Sequence, residues 1–245
     1  MYHSVSNADE AGVGPYYRLS TSPGLFREHM SFLSDNGYIV TGIPELLNGG
    51  GADHSNSRRV VVTFDDGYLD FLTGAWPSLE HFGYKATVFL ATAYVGHARR
   101  QFRHRECLTW PEVCHLAKHG VCFGSHTVTH PVLHGMPWED VRRELRDSRD
   151  EIEAYLGTPV TAFAYPFAFP HQDRLFVSML GRELRSLGYS ANLTTLIGRH
   201  APGDDPLRVK RLPVNGADDI ALFSAKLAGA YDWLGTLQVA WKHAR

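Results

Sequence analysis

Arg59-Val60-Val61-Val62-Thr63-Phe64-Asp65-Asp66-Gly67-Tyr68 decides how the rest of the chain is read. Its first six residues form an unbroken run rich in β-branched side chains, the pattern of a strand buried on both faces, as in a parallel sheet. The run stops abruptly at two carboxylates and a glycine. Neighbouring residues on a strand point to opposite faces, but where the strand ends the chain turns, and both carboxylates can then reach one pocket in different roles. An isolated Asp-Asp-Gly more often caps a helix or closes an Asx turn, so its surroundings decide its meaning.

Outward from this stretch, further β runs are expected at Tyr38 to Val40, Ala86 to Ala91, Val121 to Gly124, Thr161 to Tyr165, Tyr189 to Thr194 and Arg208 to Val214. Helical signals separate them. Ser22-Pro23 opens a segment in which Phe26, Met30 and Leu33 repeat at helical spacing until Asn36-Gly37. Thr109-Trp110-Pro111-Glu112 has the form of a capping box. Val141, Leu145, Ser148, Ile152 and Leu156 line one face of a charged helix that stops at Gly157. Ile220, Phe223, Leu227, Tyr231, Leu234 and Trp241 form a last apolar stripe, and the loop Asn48 to Ser57 is polar and glycine-rich. No repeat or low-complexity linker divides the chain, so residues 1–245 are expected to fold as a single α/β domain around a mainly parallel sheet. At this length a barrel is the economical solution, with function where strands end.

A second motif follows a second strand. Ser125-His126-Thr127-Val128-Thr129-His130-Pro131 begins where the run Val121 to Gly124 ends, and its His-x-x-x-His spacing would bring two imidazoles to one side of a helical turn. Alone, that is as often a surface pair. Together, the two strand ends offer one carboxylate and two imidazoles to a metal ion, leave positions open for water and substrate, and free the other aspartate to act as base. Which aspartate does which is not decided by spacing.

In these two motifs the chain resembles the polysaccharide deacetylases of the NodB-homology type, carbohydrate esterase family four. Tyr2-His3-Ser4-Val5, Asn36-Gly37-Tyr38, Ala86-Thr87-Val88-Phe89, Leu108-Thr109-Trp110, Phe163-Ala164-Tyr165-Pro166-Phe167 and Arg211-Leu212-Pro213-Val214 fall in the order expected of its members. The resemblance implies a distorted (β/α)7 barrel and hydrolysis of the N-acetyl group of an amino sugar in a glycan. It implies Asp66, His126 and His130 as metal ligands, Asp65 as catalytic base, and a divalent ion, zinc first, with nickel, cobalt or iron compatible with a mixed N/O site. Pro166-Phe167 matches the motif whose backbone N–H after the proline enters the oxyanion hole, which makes Phe167 the donor. Tyr165 and Trp110 are candidates to line the sugar site.

Two departures from the family pattern matter. Ala164 stands where an arginine often orients the catalytic aspartate, and Ala168 where glycine is usual. The late Leu-x-x-His that supplies a general acid is absent, since Arg211-Leu212-Pro213-Val214 contains no histidine. His3 resembles the early Tyr-His element of the poly-N-acetylglucosamine deacetylase branch, which implies it as the substitute acid. Competing readings are a small-amide or O-acetyl ester hydrolase on the same scaffold and a glycan-binding protein with a degenerate site. Other aromatic and histidine positions are expected to pack or face solvent: Trp138, His134, and the basic segment Gly96 to Glu106 with His97 and His104, read as a long loop.

Composition narrows the partners. The chain has 245 residues, 44% of them hydrophobic, enough for a sizeable core, and 24 basic against 26 acidic residues. That balance lacks the basic field needed to hold nucleic acid. Cys107, Cys114 and Cys122 are odd in number with no C-x-x-C spacing, so neither a disulfide framework nor a cysteine metal site is expected. No stretch is long and apolar enough for a transmembrane segment. The start, Met1-Tyr2-His3-Ser4, has neither a basic n-region nor an apolar h-region. A complete chain would be cytoplasmic, and one that has lost a leader secreted or in the cell envelope. Sequence does not give the oligomeric state.

Overall fold

The computed structural model describes residues 1–10, 12–47, 58–201 and 203–235. Two compact units can be distinguished. The first comprises Met1–Phe89, Tyr94–Cys122 and Pro213–Ser224; the second comprises Leu90–Ala93, Phe123–Leu212 and the described residues from Ala225 onward.

In the first unit, β1 (Ser4–Val5) pairs in parallel with β2 (Ser20–Thr21). Helix α1 (Pro23–Asp35) follows, capped by the Ser22 hydroxyl, which accepts from the Leu25 N–H. β3 (Ile39–Val40), α2 (Ile43–Leu47), β4 (Arg59–Val60) and β5 (Thr63–Phe64) come next. A π-turn, Phe71–Ala75, leads into α3 (Trp76–Phe82), and β6 (Thr87–Leu90) pairs in parallel with β5. Upstream of β1, Tyr2 bridges Phe64 in parallel, continuing the pairing beyond β5. The core of this unit is aromatic: the Tyr2, Phe26, Phe64 and Phe71 rings meet at centroid separations of 4.8 to 5.7 Å. Each is at most 3% exposed, so each contributes about 2 kcal/mol of apolar burial.

The run Arg59 to Phe64, expected as one strand, is two. β4 pairs with β3, β5 pairs with β6, and Val61-Val62 carries the chain from one partner to the other. Only β5 is fully buried. The segment Gly96 to Glu106 is likewise more ordered than a loop. β7 (Gln101–Phe102) and β8 (Arg105–Glu106) form an antiparallel hairpin with Arg103 and His104 at positive φ in its tip, and α4 (Trp110–Lys118) follows. Glu112 accepts from both the N–H and the hydroxyl of Thr109, the glutamate half of the expected capping box.

In the second unit, β9 (Cys122–Ser125), α5 (Trp138–Leu156), β10 (Ala162–Ala164), α6 (Arg174–Ser186), β11 (Ala191–Ile197) and β12 (Val209–Arg211) alternate. β10 pairs in parallel with both β9 and β11, and β11 in parallel with β12. The apolar stripe read from the sequence is the buried face of α5, through Val141, Leu145, Ser148 and Ile152, and Gly157 ends the helix at φ 67°. The C-terminal stripe begins as α7 (Ile220–Leu227), while Trp241 and the loop Asn48 to Ser57 lie outside the described residues. Within this unit the strand order is β12-β11-β10-β9, and the parallel α/β architecture expected from the sequence is what the chain adopts. Among the described residues no helix is long and apolar enough to cross a membrane.

Candidate metal centre and active site

Six non-glycine residues among those described have positive φ, and four of them are Asp66 (71°), Thr127 (69°), His130 (56°) and Phe167 (57°). Side chains rarely accept this conformation, and it persists only where surrounding contacts over-determine it. All four lie just beyond strands β5, β9 and β10, at the positions the sequence motifs marked.

Beyond β5, the Asp65 N–H donates to the Tyr2 carbonyl (3.0 Å), the Leu108 N–H donates to the Gly67 carbonyl (2.9 Å), and the Leu69 N–H donates to Glu106 (2.8 Å). The turn is therefore held on one side by the N-terminal strand and on the other by residues 106–108. Asp65 and Asp66 are 3% and 2% exposed. Tyr68 packs behind them, its phenol held well above the ordinary value by burial and then by the neighbouring Asp66 carboxylate, so it remains a neutral O–H.

His3 follows Tyr2 directly and is half-buried. The Tyr2 hydroxyl donates to His29 Nδ1 (3.1 Å), and His29 Nε2 donates to the Asp218 carbonyl (2.8 Å). On the other side of His3, the Ser4 N–H donates to Leu19 (3.1 Å), and Arg105 donates to the Ser4 hydroxyl (2.8 Å). The backbone on both sides of His3 is thus anchored, and the parallel bridge between Tyr2 and Phe64 puts His3 and Asp65 each one residue further along its strand.

Beyond β9, the His126 N–H donates to the Leu90 carbonyl (2.8 Å), and its Nδ1 donates to the Ala164 carbonyl (2.7 Å). A carbonyl can only accept, so in the neutral ring the proton sits on Nδ1 and Nε2 carries the lone pair a metal needs. The segment to His130 is not the helical turn read from His-x-x-x-His. It is a folded turn in which Thr127 Oγ1 donates to the His126 carbonyl and accepts from the His130 N–H (3.0 Å). The imidazoles nevertheless meet, at a centroid separation of 4.7 Å.

Asp66, His126 and His130 are all buried and each offers one ligand atom, with those atoms within 4.8 Å of one another. A carboxylate and two imidazoles, one with its tautomer already set, fit a divalent metal ion with positions left for water and substrate.

Beyond β10, Phe167 is 41% exposed and presents its ring edge-on to His130 at 4.6 Å. Thr195 pins this turn from β11: its hydroxyl donates to the Phe167 carbonyl (2.9 Å) and accepts from the Phe169 N–H (3.0 Å). Tyr165 is 1% exposed, its phenol raised by burial. Trp110 is 2% exposed in the first unit, so its ring offers no open face there. Trp138 packs edge-on against Phe176 (6.0 Å), and His134 meets Asp173 at 3.2 Å on the surface. Thr195 and Glu144 were not singled out by the sequence, and Tyr68 and Ser148 entered only as members of the opening stretch and of the α5 stripe. Their roles depend on which backbone groups they meet, and no spacing encodes that.

A family model described as polysaccharide deacetylase matches residues 52–190, more than half of the chain. The putative polysaccharide deacetylase YxkH of Bacillus subtilis (strain 168) is 30% identical over 196 residues, 80% of this chain and 63% of that protein. The poly-beta-1,6-N-acetyl-D-glucosamine N-deacetylase of Escherichia coli (strain K12) is 25% identical over 226 residues, 79% of this chain and 33% of that protein. The chain thus spans less than two thirds of the length of either curated relative. Among solved structures, the Streptococcus pyogenes deacetylase PplD in complex with acetate shares the fold, with a TM-score of 0.78 at 23% identity over 92% of this chain and 95% of that one. The motifs, the strand-end geometry and the match over residues 52–190 agree: the chain belongs to the polysaccharide deacetylase family.

Proposed function

We propose that this protein hydrolyses the N-acetyl group of N-acetylhexosamine residues in a polysaccharide or oligosaccharide, releasing acetate and a free amine, and that Asp66, His126 and His130 hold a zinc ion for the purpose. The observation that carries the reading is the buried Asp-His-His cluster, with a second carboxylate, Asp65, next to it in the chain. When bound, the ion lowers the pKa of water and polarises the acetyl carbonyl.

The chain's own residues divide the remaining work. Asp65 accepts the proton of the attacking water as oxygen adds to the acetyl carbon. Phe167 donates its backbone N–H to the oxyanion that develops on the substrate, from a turn that Thr195 holds in shape. His3 gives a proton to the nitrogen as the C–N bond breaks, because an amine that leaves unprotonated is a poor leaving group. The near-neutral charge of the chain suits a neutral glycan.

Acetate release from β-linked N-acetylglucosamine oligomers, measured with zinc beside acetylated xylan and simple amides, tests the reading. Release from the amino-sugar oligomers is expected, and Asp65→Asn should lower it about 10²- to 10⁴-fold while leaving bound zinc unchanged. Release from the ester or simple amide alone would replace this function with the other hydrolase. Glycan binding with no release under any metal would leave only a binding protein.

A further inference from the structure

Helix α5 carries two residues one turn apart, Glu144 and Ser148, that both reach the turn bearing His126 and His130. The Glu144 carboxylate accepts from the backbone N–H groups of Val128 (2.7 Å) and Thr129 (2.9 Å) through one oxygen, and from the Thr129 hydroxyl (2.7 Å) through the other. Ser148 shares a hydrogen bond with Ser125 (2.6 Å), and the Ser125 hydroxyl accepts from the Thr127 N–H (3.3 Å). Every backbone N–H from Thr127 to His130 is thus bonded. Thr127 Oγ1 takes the last of them.

This matters because the turn holds two residues at positive φ, Thr127 and His130, which cost energy to maintain. A neutral partner contributes roughly 1 kcal/mol per hydrogen bond, whereas bonds to an ionised carboxylate are about twice as strong. Three such bonds from Glu144 can hold a conformation that two strained residues oppose. Other charges of α5 have partners elsewhere: Arg143 pairs with Asp140 within the helix, Arg142 reaches Glu183 on α6 (3.0 Å), and Glu153 accepts from the Val160 N–H (2.8 Å). Among these charges Glu144 is the one committed to the histidine turn.

We propose that Glu144 is a positioning residue for the metal centre: it fixes the turn from Val128 to Thr129 so that the His126 and His130 rings are already convergent before an ion arrives. The inference rests on the metal reading above. Outer partners that orient ligands this way are worth about 10- to 100-fold in metal affinity.

The test is zinc affinity of the whole chain, measured by competition with a chromophoric chelator, for wild type, Glu144→Ala, Glu144→Gln and, as a control on the same helix, Glu151→Ala. Glu144→Ala should bind zinc about 10- to 100-fold more weakly. Glu144→Gln keeps one acceptor and the helix surface, so it should fall in between and carries the test if the alanine variant does not fold. Glu151→Ala should match wild type. If Glu144→Ala or Glu144→Gln melts lower in the apo form yet binds zinc within twofold of wild type, the residue only stabilises the fold and the positioning role is overturned. Equal weakening in the control overturns it as well. A wild-type chain that takes up no zinc overturns the metal reading itself, an outcome distinct from either.

Discussion

At the scale of single residues, protonation is where the site is most exposed to test. His3→Ala is expected to retain its metal and lose about 10²- to 10⁴-fold in turnover, read as acetate release beside metal content by mass spectrometry. Near-normal turnover would remove His3 from the mechanism. Glu112 offers a test of stability. Burial pushes its carboxyl up, but the Arg99 guanidinium (2.6 and 2.7 Å) and the Thr109 N–H and hydroxyl outweigh burial, so its pKa lies below the ordinary glutamate value of 4.5. A depressed carboxylate contributes stability that is fully present above its unfolded pKa and lost as pH falls through its folded one. Glu112→Gln should therefore destabilise by about 1 kcal/mol at pH 7. The gap from wild type should close in acid, below pH 4.5, in denaturant titrations at several pH values.

The elements show which parts of this could be read in advance. Residue types at strand ends were legible: Asp65, Asp66, His126 and His130 stand where β-rich runs stop, and a change of periodicity marks that from sequence alone. The geometry between them was not. Four-residue spacing suits a helical turn as well as the folded turn of residues 126–130, and the partners of the folded turn's N–H groups, Glu144 and Ser125, are distant or unremarkable in sequence. Arg59 to Phe64 read as one strand because β-branched residues suit either partner, while the switch at Val61-Val62 depends on where β3 and β6 lie. Gly74, in the π-turn before α3, illustrates the same limit: a Cβ there would fall 2.0 Å from the Val5 carbonyl oxygen. Gly74→Ala should cost about 1 to 3 kcal/mol through overpacking, visible as a lower denaturation midpoint. Because it pushes on β1, it should also lower turnover through His3.

For the whole molecule, the proposed ligands are split: His126 comes 60 positions after Asp66. An unfolded chain cannot gather them, so an ion that binds the native state stabilises it by mass action, about 2.7 kcal/mol at a free concentration one hundred times its dissociation constant. Melting the protein with zinc and again after chelation should show that difference, and identical curves would mean that the three residues hold no ion. The architecture itself was legible from alternation of strand and helix. The hairpin β7-β8 was not, because Arg103 and His104 give no turn signal of the Asn-Gly kind.

The ladder that backs the Asp65-Asp66 turn has one more consequence, for chemical labelling. Cys107 sits opposite Tyr68 in that ladder, fully buried, with its thiol pushed up to about 12 by burial. At pH 8 only about one such thiol in ten thousand is ionised, so an alkylating reagent must wait for residues 106–108 to part from residues 67–69. Cys122 is exposed and needs no such opening. Modification of Cys107 is thus a clock for breathing of the wall behind Asp66, and on the proposed function it should run more slowly once zinc is added.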